Sequence, residues 1–140
     1  MALPPALALE IVTPDRAIVH DKVDEVEVPG ADGYFGVLPG HTPLLASLQV
    51  GQLWYRKGTE KFYLSVAFGF AEVLPDRVTI LAQIAERAEE IDVDRAQAER
   101  QRAQRELFAR ALDQDLERAR VSLLKALTRL QVASRSRTRV

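Results

Sequence analysis

A run of closely spaced glycines and prolines from Val28 to Leu45, V-P-G-A-D-G-Y-F-G-V-L-P-G-H-T-P-L-L, constrains the fold more than any other feature. It holds four of the seven glycines and three of the seven prolines. Glycines at this density mark turns or close backbone approaches, and prolines cannot sit inside a central ladder. The run therefore predicts a short buried strand, Tyr34 to Leu38, between two tight turns.

This run lacks the features of a phosphate-binding loop. Its glycines are spaced G-x-x-G-x-x-G, no helical pattern follows them, and the sequence contains no G-x-x-x-x-G-K-[ST]. Phosphate loops place a helix directly after their glycines, because the helix N-terminus supplies anion-binding amides. The residues therefore favour a turn-and-strand scaffold over a nucleotide cradle.

Alternating apolar residues predict further strands from Leu7 to Ile84. The most informative segment runs from Phe62 to Val73, where the apolar side chains change faces near Gly69. One extra residue moves every later side chain to the other face, so we expect a β-bulge there. Short strands separated by frequent turn signals are typical of a β-sandwich or flattened barrel, and we expect about ten strands.

The periodicity becomes helical from Asp92, which is the predicted N-cap of a first helix. A thin, alanine-rich apolar stripe marks this helix, and a stronger stripe runs from Leu116 to Ala133. Between Leu112 and Asp115 only aspartate is available to cap the second helix. Two helices with so short a connection are expected to fold back as an antiparallel hairpin.

These patterns divide the chain into two regions and place it in the α+β class. We expect a β-sandwich over residues 1–88 and a two-helix hairpin over residues 89–140, ending in a disordered basic tail, S-R-S-R-T-R-V. Charge follows the same division. Residues 1–91 carry 7 Lys and Arg against 13 Asp and Glu, whereas residues 92–140 carry 12 against 7.

Several function classes are disfavoured by composition and motifs. Because there is no cysteine, neither a disulfide nor a thiolate metal site is available. The longest nearly apolar run is far short of the ~20 residues of a membrane helix, and the start lacks the basic region of a signal peptide. The two histidines, His20 and His41, stand in no triad or zinc pattern, so we expect no catalytic activity.

Four cations in the helical region are candidates for an anion site. Arg95 and Arg102 share a helix face about 10 Å apart along the axis, and Lys125 and Arg129 lie one turn apart on the second helix. In an antiparallel hairpin the four would converge near Asp92. The alternative is a solvated basic face with i,i+4 ion pairs such as Arg102 with Glu106, and spacing alone favours this alternative over the anion site.

The segment from Val26 to Leu44 resembles the epsilon subunit of F-type, proton-translocating ATP synthases. That family carries V-x-V-x-G-x-x-G-x-x-G-[IV]-x-P-G-H-x-P-L, and the similarity extends from Ile11 to Ala133. The resemblance implies a non-catalytic central-stalk subunit that binds the gamma subunit and the c-subunit ring at the cytoplasmic face of the cell membrane. It also implies that the helices can reach the alpha and beta subunits and restrain ATP hydrolysis.

Partner contacts are implied by the same resemblance. The turns that hold Asp32, Tyr34, His41 and Thr42 would meet the gamma subunit and the c-subunit ring. Tyr34 departs from the family pattern, because it occupies a position that can be acidic in other members.

The hexapeptide I-D-V-D-R-A from Ile91 is similar to that of members that bind a regulatory ATP between their C-terminal helices. No cofactor is required by this resemblance, and the motif permits ATP binding without requiring it. Lys125 stands where the ATP-binding members have arginine. The other positions that correspond to nucleotide contacts are Glu86, Asp92, Arg95, Ala96, Arg102 and Arg129.

A nucleic-acid-binding module that uses the basic hairpin is the main alternative. An acidic sandwich with a balance of −6, a helical excess of only +5 and no aromatic residues interleaved with the helical cations all oppose it. We therefore expect no nucleic-acid partner.

Overall fold

The computed structural model describes residues 2–109 and 116–136, which form eight strands and two helices. The strands are β1 (Leu7–Val12), β2 (Ala17–Val23), β3 (Glu25–Gly30), β4 (Gly33–Val37), β5 (Leu44–Ser47), β6 (Gly51–Lys57), β7 (Glu60–Leu74) and β8 (Arg77–Arg87). After a 3₁₀ turn at Ala88–Glu90 come α1 (Val93–Ala109) and α2 (Leu116–Ala133). The predicted α+β class is confirmed. The predicted helix break at 112–115 and residues 137–140 of the predicted tail lie outside the described residues.

Hydrogen bonds join seven strands in the order β2-β1-β8-β7-β6-β3-β4, and β5 pairs with β7 off this path. All pairs are antiparallel except that of β1 with β8. Since β2 and β4 do not pair with each other, the described strands form an open sandwich rather than a closed barrel. The described residues form eight strands, where the sequence predicted about ten.

β7 passes from one side of the sandwich to the other at Phe68 and Gly69. Residues 60–66 pair with β6, whereas residues 70–73 pair with β5. Phe68 and Gly69 have φ values of 61° and 114°, and a Cβ on Gly69 would collide with the backbone of Leu81. The inversion lies where the sequence predicts it, but the predicted bulge is wrong, because the register between β7 and β8 continues without a shift.

The core of the sandwich is aliphatic. Its largest fully buried side chains are Leu7, Leu9, Ile11, Leu53, Leu64 and Ile80. The strand predicted at Tyr34 to Leu38 exists as β4, but the prediction that it is buried is wrong. β4 is the last strand of the path and pairs with β3 alone, so Val37 is its one fully buried residue.

The helices form a hairpin that packs against the sandwich. α2 lies on β6, β7 and the 3₁₀ turn, and α1 packs along α2. The buried residues between the two helices are small: Ala96, Ala103, Ala119 and Ala126. Neither described helix combines the length and hydropathy needed to cross a bilayer.

Two arginines fasten the connection between the two regions. The Arg87 guanidinium donates a hydrogen bond to the carbonyl oxygen of Ile18 at 2.7 Å. Arg16, in the turn between β1 and β2, forms an ion pair with Glu90 of the 3₁₀ turn. The start of the helical region is therefore fixed to the sandwich before α1 begins.

Candidate functional site

Arg129 of α2 donates three hydrogen bonds to carboxylates of β8 and α1. Its Nε and Nη2 atoms donate to the two carboxylate oxygens of Glu86 at 2.7 and 3.2 Å. Its Nη1 atom donates to Glu99 of α1 at 2.8 Å. With its side chain only 16% exposed, Arg129 ties the end of β8, α1 and α2 together.

Glu99 extends this network to a second arginine. Its other carboxylate oxygen accepts a hydrogen bond from Nε of Arg95, one helical turn earlier, at 3.1 Å. Arg95, Arg129 and Glu86 were predicted from the sequence as site residues, whereas Glu99 was not. Its i,i+4 spacing from Arg95 on the predicted helix was a signal for it.

The pKa of Arg129 reflects both burial and these neighbours. Partial burial alone lowers its pKa, but the hydrogen bond and charge of Glu86, together with those of Glu99, raise it above the usual arginine value. The guanidinium is therefore a permanent cation whose charge is matched by carboxylates of the same chain.

Two other predicted site residues have local structural roles. Asp92 is the N-cap of α1, as predicted, and its carboxylate accepts a hydrogen bond from the backbone amide of Arg95 at 3.1 Å. Ala96 is fully buried between the helices, where its small side chain allows their close approach. Neither side chain lines the cavity described next.

A cavity of about 560 Å³ lies between α1 and α2. Its charged lining consists of Arg102, Arg118, Lys125, Glu99 and Glu106. Lys125 also lies over the ring of Phe68, with Nζ 5.6 Å from the ring centroid. The predicted cations are therefore divided: Arg102 and Lys125 meet at the cavity, whereas Arg95 and Arg129 meet at Glu99.

Arg118 was missed by the sequence analysis. It lies seven residues before Lys125 on α2, a spacing that puts both residues on one helix face. With Arg102 from α1, it brings three cations to a cavity of the size that small-molecule ligands occupy. Cations in such number are suited to binding a polyphosphate through charge-assisted hydrogen bonds.

Of the four predicted partner-contact residues, three lie on two separate turns and the fourth, Tyr34, lies in β4. Asp32 is exposed in the two-residue turn between β3 and β4. Tyr34 follows it, and its hydroxyl oxygen accepts a hydrogen bond from the amide of Gln52 at 3.1 Å.

His41 and Thr42 precede β5, with His41 Nδ1 2.6 Å from the Thr42 carbonyl oxygen. Because Ala31 bonds to Ser47 and Gly40 to Pro75, the two turns lie at opposite ends of β5.

Between those turns lies an apolar patch, formed by Leu45, Phe70 and Leu81 on the neighbouring strands β5, β7 and β8. These side chains are 70%, 54% and 52% exposed. Phe70 pairs with Leu81 of β8 on one side and with Ser47 of β5 on the other. Leu45 is two residues before Ser47 on β5, so it lies on the same face, diagonally beside Phe70. Contiguous exposed apolar side chains of this kind mark interaction surfaces. The patch was not predicted from the sequence, because Phe70 continues the apolar alternation of Phe62, Leu64, Val66 and Phe68, which does not show whether that face is covered.

Within residues 2–109 and 116–136, no group of three or more His, Asp or Glu side chains is arranged to hold a metal ion.

Two family models match the chain. The model of the β-sandwich domain of the ATP synthase delta/epsilon chain matches residues 6–88, and that of the long α-helix domain of the same chain matches residues 89–134.

Several ATP synthase epsilon chains are similar in sequence. That of Solibacter usitatus is 49% identical over 133 residues, which cover 95% of this chain and 99% of the relative. That of Syntrophobacter fumaroxidans is 48% identical over 130 residues, 93% of this chain and 97% of the relative.

Two solved structures share the fold. A chain of the Euglena gracilis mitochondrial ATP synthase, in an assembly of OSCP, F1 and c-ring, has a TM-score of 0.79 at 22% identity, over 97% of this chain and 85% of its own. A chain of the Tetrahymena thermophila mitochondrial ATP synthase, from its central stalk and c-ring, has a TM-score of 0.57 at 12% identity, over 96% and 98%.

Proposed function

The chain belongs to the ATP synthase delta/epsilon family, as an epsilon subunit, and we propose that it acts as a non-catalytic part of the central stalk. The apolar patch carries this proposal. An exposed surface of this kind on a rigid sheet is suited to permanent docking, and the patch lies between the two turns that the family resemblance assigns to partners. In this role the protein transmits rotation between the membrane sector and the catalytic head, at the cytoplasmic face of the cell membrane.

The gamma subunit is the partner proposed for the apolar patch and for the turn that holds His41 and Thr42. Phe70→Lys places a charge at the centre of the patch and should weaken gamma binding about 30-fold, the loss expected of a central interface residue. Phe108→Lys is the matched control, since Phe108 is 89% exposed on α1, outside the patch. Surface plasmon resonance with purified gamma subunit measures both variants, and equal affinities for Phe70→Lys and the unmodified protein would exclude this surface.

The c-subunit ring is the partner proposed for the turn at Asp32 and Tyr34. Because the chain contains no cysteine, single cysteines can be introduced as unique cross-linking sites. In membranes, a cysteine at Asp32 should cross-link to the c-subunit, and a cysteine at Thr42 should cross-link to gamma. A reversed result would contradict the proposed orientation.

Regulatory ATP is the ligand proposed for the cavity between the helices. Arg102, Arg118 and Lys125 would hold its phosphates, and bound ATP would favour the hairpin over an extended form that reaches the alpha and beta subunits and restrains hydrolysis. Arg102→Ala should weaken ATP binding about tenfold in calorimetric titration, the loss expected for one charge-assisted hydrogen bond. Arg105→Ala is the control, since Arg105 lies on the same helix and outside this cavity. Equal losses in the two variants would contradict this site.

The isolated protein is proposed to have no ATPase activity, because the sequence contains no phosphate loop. A nucleic-acid-binding hairpin is not favoured, since Arg95 and Arg129 are already paired with carboxylates. Hydrolysis by a pure preparation that is lost on mutating His41 would contradict the non-catalytic role.

A further inference from the structure

Glu99 lies between two cations, in the position that a bound anion would occupy. One of its carboxylate oxygens is 3.1 Å from Nε of Arg95 on the same helix, and the other is 2.8 Å from Nη1 of Arg129 on the opposite helix. The Glu99 side chain also lines the cavity that contains Arg102 and Lys125. It therefore lies at the boundary between the ion-pair network and the cavity.

We propose that Glu99 is an internal counter-anion, which closes the hairpin without a ligand and excludes phosphate from Arg129. The first part depends only on the contacts of Glu99, whereas the second rests on the proposed binding of ATP in the neighbouring cavity. Together they make Glu99 the residue that sets how strongly the hairpin depends on nucleotide.

The donors of Arg129 explain the closing role. Its Nε and Nη2 atoms are bonded to Glu86, and its Nη1 atom is bonded to Glu99. Glu86 belongs to the sandwich, so it holds α2 to β8 but does not touch α1 through these bonds. The bond from Arg129 to Glu99 is the one that joins α2 to α1 within this network.

Charge explains the exclusion. Glu86 and Glu99 balance Arg95 and Arg129, so these four side chains carry no net charge at neutral pH. A phosphate group that approached Arg129 would have to displace a carboxylate and then remain beside it, which like-charge repulsion disfavours. At the cavity the cations Arg102, Arg118 and Lys125 outnumber the two carboxylates, so a polyphosphate would be held there instead.

Glu99→Gln tests both parts, because it removes the charge while keeping the length and shape of the side chain. Cysteines for a fluorophore pair are placed at Ala98 of α1 and Gln131 of α2, both exposed. These positions are close in the hairpin but would be about 50 Å apart in one continuous helix. The full-length protein is used throughout. Glu117→Gln is the matched control, because it makes the same charge change at an exposed pair with Arg120.

Without nucleotide, Glu99→Gln should increase the population with a long interhelical distance, and Glu117→Gln should not. In calorimetry, the cysteines at Ala98 and Gln131 are joined by a flexible cross-linker so that the hairpin stays closed in both proteins, because opening alone would weaken ATP binding. In this form Glu99→Gln should bind ATP about tenfold more tightly than the cross-linked protein that retains Glu99, which corresponds to ~1.4 kcal/mol. An unchanged distance distribution in nucleotide-free Glu99→Gln would overturn the closing role. Unchanged ATP affinity, where the unmodified protein binds, would overturn the exclusion and leave the nucleotide site standing. If neither protein binds ATP and the hairpin of the variant opens, the closing role is supported and the proposed ATP site is wrong.

Discussion

Replacing Arg129 by alanine is expected to release the hairpin while leaving the sandwich folded. The substitution removes three hydrogen bonds and leaves the carboxylates of Glu86 and Glu99 facing each other. The sandwich should be unaffected, because Arg129 lies outside its aliphatic core, which does not include the helices.

The magnitude follows from the exposure of the three side chains. Hydrogen bonds to charged groups contribute about 1.5–3 kcal/mol each when shielded from water. The side chains of Arg129, Glu86 and Glu99 are 16%, 26% and 31% exposed, so solvent screening reduces this energy without cancelling it. We expect opening of the hairpin to become more favourable by about 2–3 kcal/mol, which is roughly a 30- to 150-fold change in the opening equilibrium.

Hydrogen exchange read by mass spectrometry separates this effect from global unfolding. Amides of α2 should exchange faster by that factor in Arg129→Ala, whereas amides of β1 and β8 should keep their rates. Arg120→Ala is the control, because Arg120 makes an exposed ion pair with Glu117 that contributes about 0–1 kcal/mol. Arg129→Lys should restore only part of the protection, since an ammonium group cannot form the two-pronged bond to Glu86. Equal exchange in Arg129→Ala and Arg120→Ala, or faster exchange throughout the sandwich, would refute this reasoning.

Three further predictions concern the sandwich and the assembled enzyme. Gly69→Ala should lower the unfolding free energy by about 3 kcal/mol in urea titration, because of its positive φ and the clash with β8, whereas Gly36→Ala, which has open space around it, should change it little. The hydrogen bond from Lys57 lowers the pKa of Asp21 below 3.8, so the pair should stabilise the protein at neutral pH and lose this effect as the pH falls through the folded pKa. In Asp21→Asn, the midpoint of urea unfolding should therefore depend less on pH in that acidic range. Deletion of residues 92–140 should raise ATP hydrolysis by the assembled complex in membrane vesicles, and an unchanged rate would contradict the inhibitory role proposed for the helices.

The architecture was predictable from the sequence, because local patterns specify it. Alternation marks the strands, the change of period at Asp92 marks the helices, and Asp92 caps α1 as its residue type favours. The crossing of β7 was only partly predictable. The face inversion is visible in the sequence, but two consecutive positive φ values produce it, and one belongs to Phe68, a residue type that gives no signal for that conformation.

The arrangement of the charged residues was less predictable, because spacing along one helix does not determine which residue of the other helix it meets. Spacing predicts that the four cations share helix faces, yet in the structure Arg102 and Lys125 line the cavity, whereas Arg95 and Arg129 bond to Glu99. Glu99 bonds to Arg129 across the hairpin, although the two residues are 30 positions apart in the sequence. The spacing of the cations alone cannot predict that contact. Phe70 shows the same limit for the sheet. It alternates with its neighbours as a core residue would, and only its exposure in the folded sandwich shows that this face is uncovered.

Different forces stabilise the two regions, and this difference suits the protein to the proposed change of shape. The sandwich buries leucine, isoleucine and valine, so its stability comes from a large apolar area at about 25 cal/mol per Å². The contact between α1 and α2 buries mainly alanine, which removes little area from water, while Leu124 and Leu127 of α2 remain exposed. Closure of the hairpin therefore depends on directional ion pairs around Glu99 and Arg129. In the proposed mechanism, a ligand or partner that competes for these charges would shift a balance of a few kcal/mol without disturbing the sandwich, which would stay docked while the helices move.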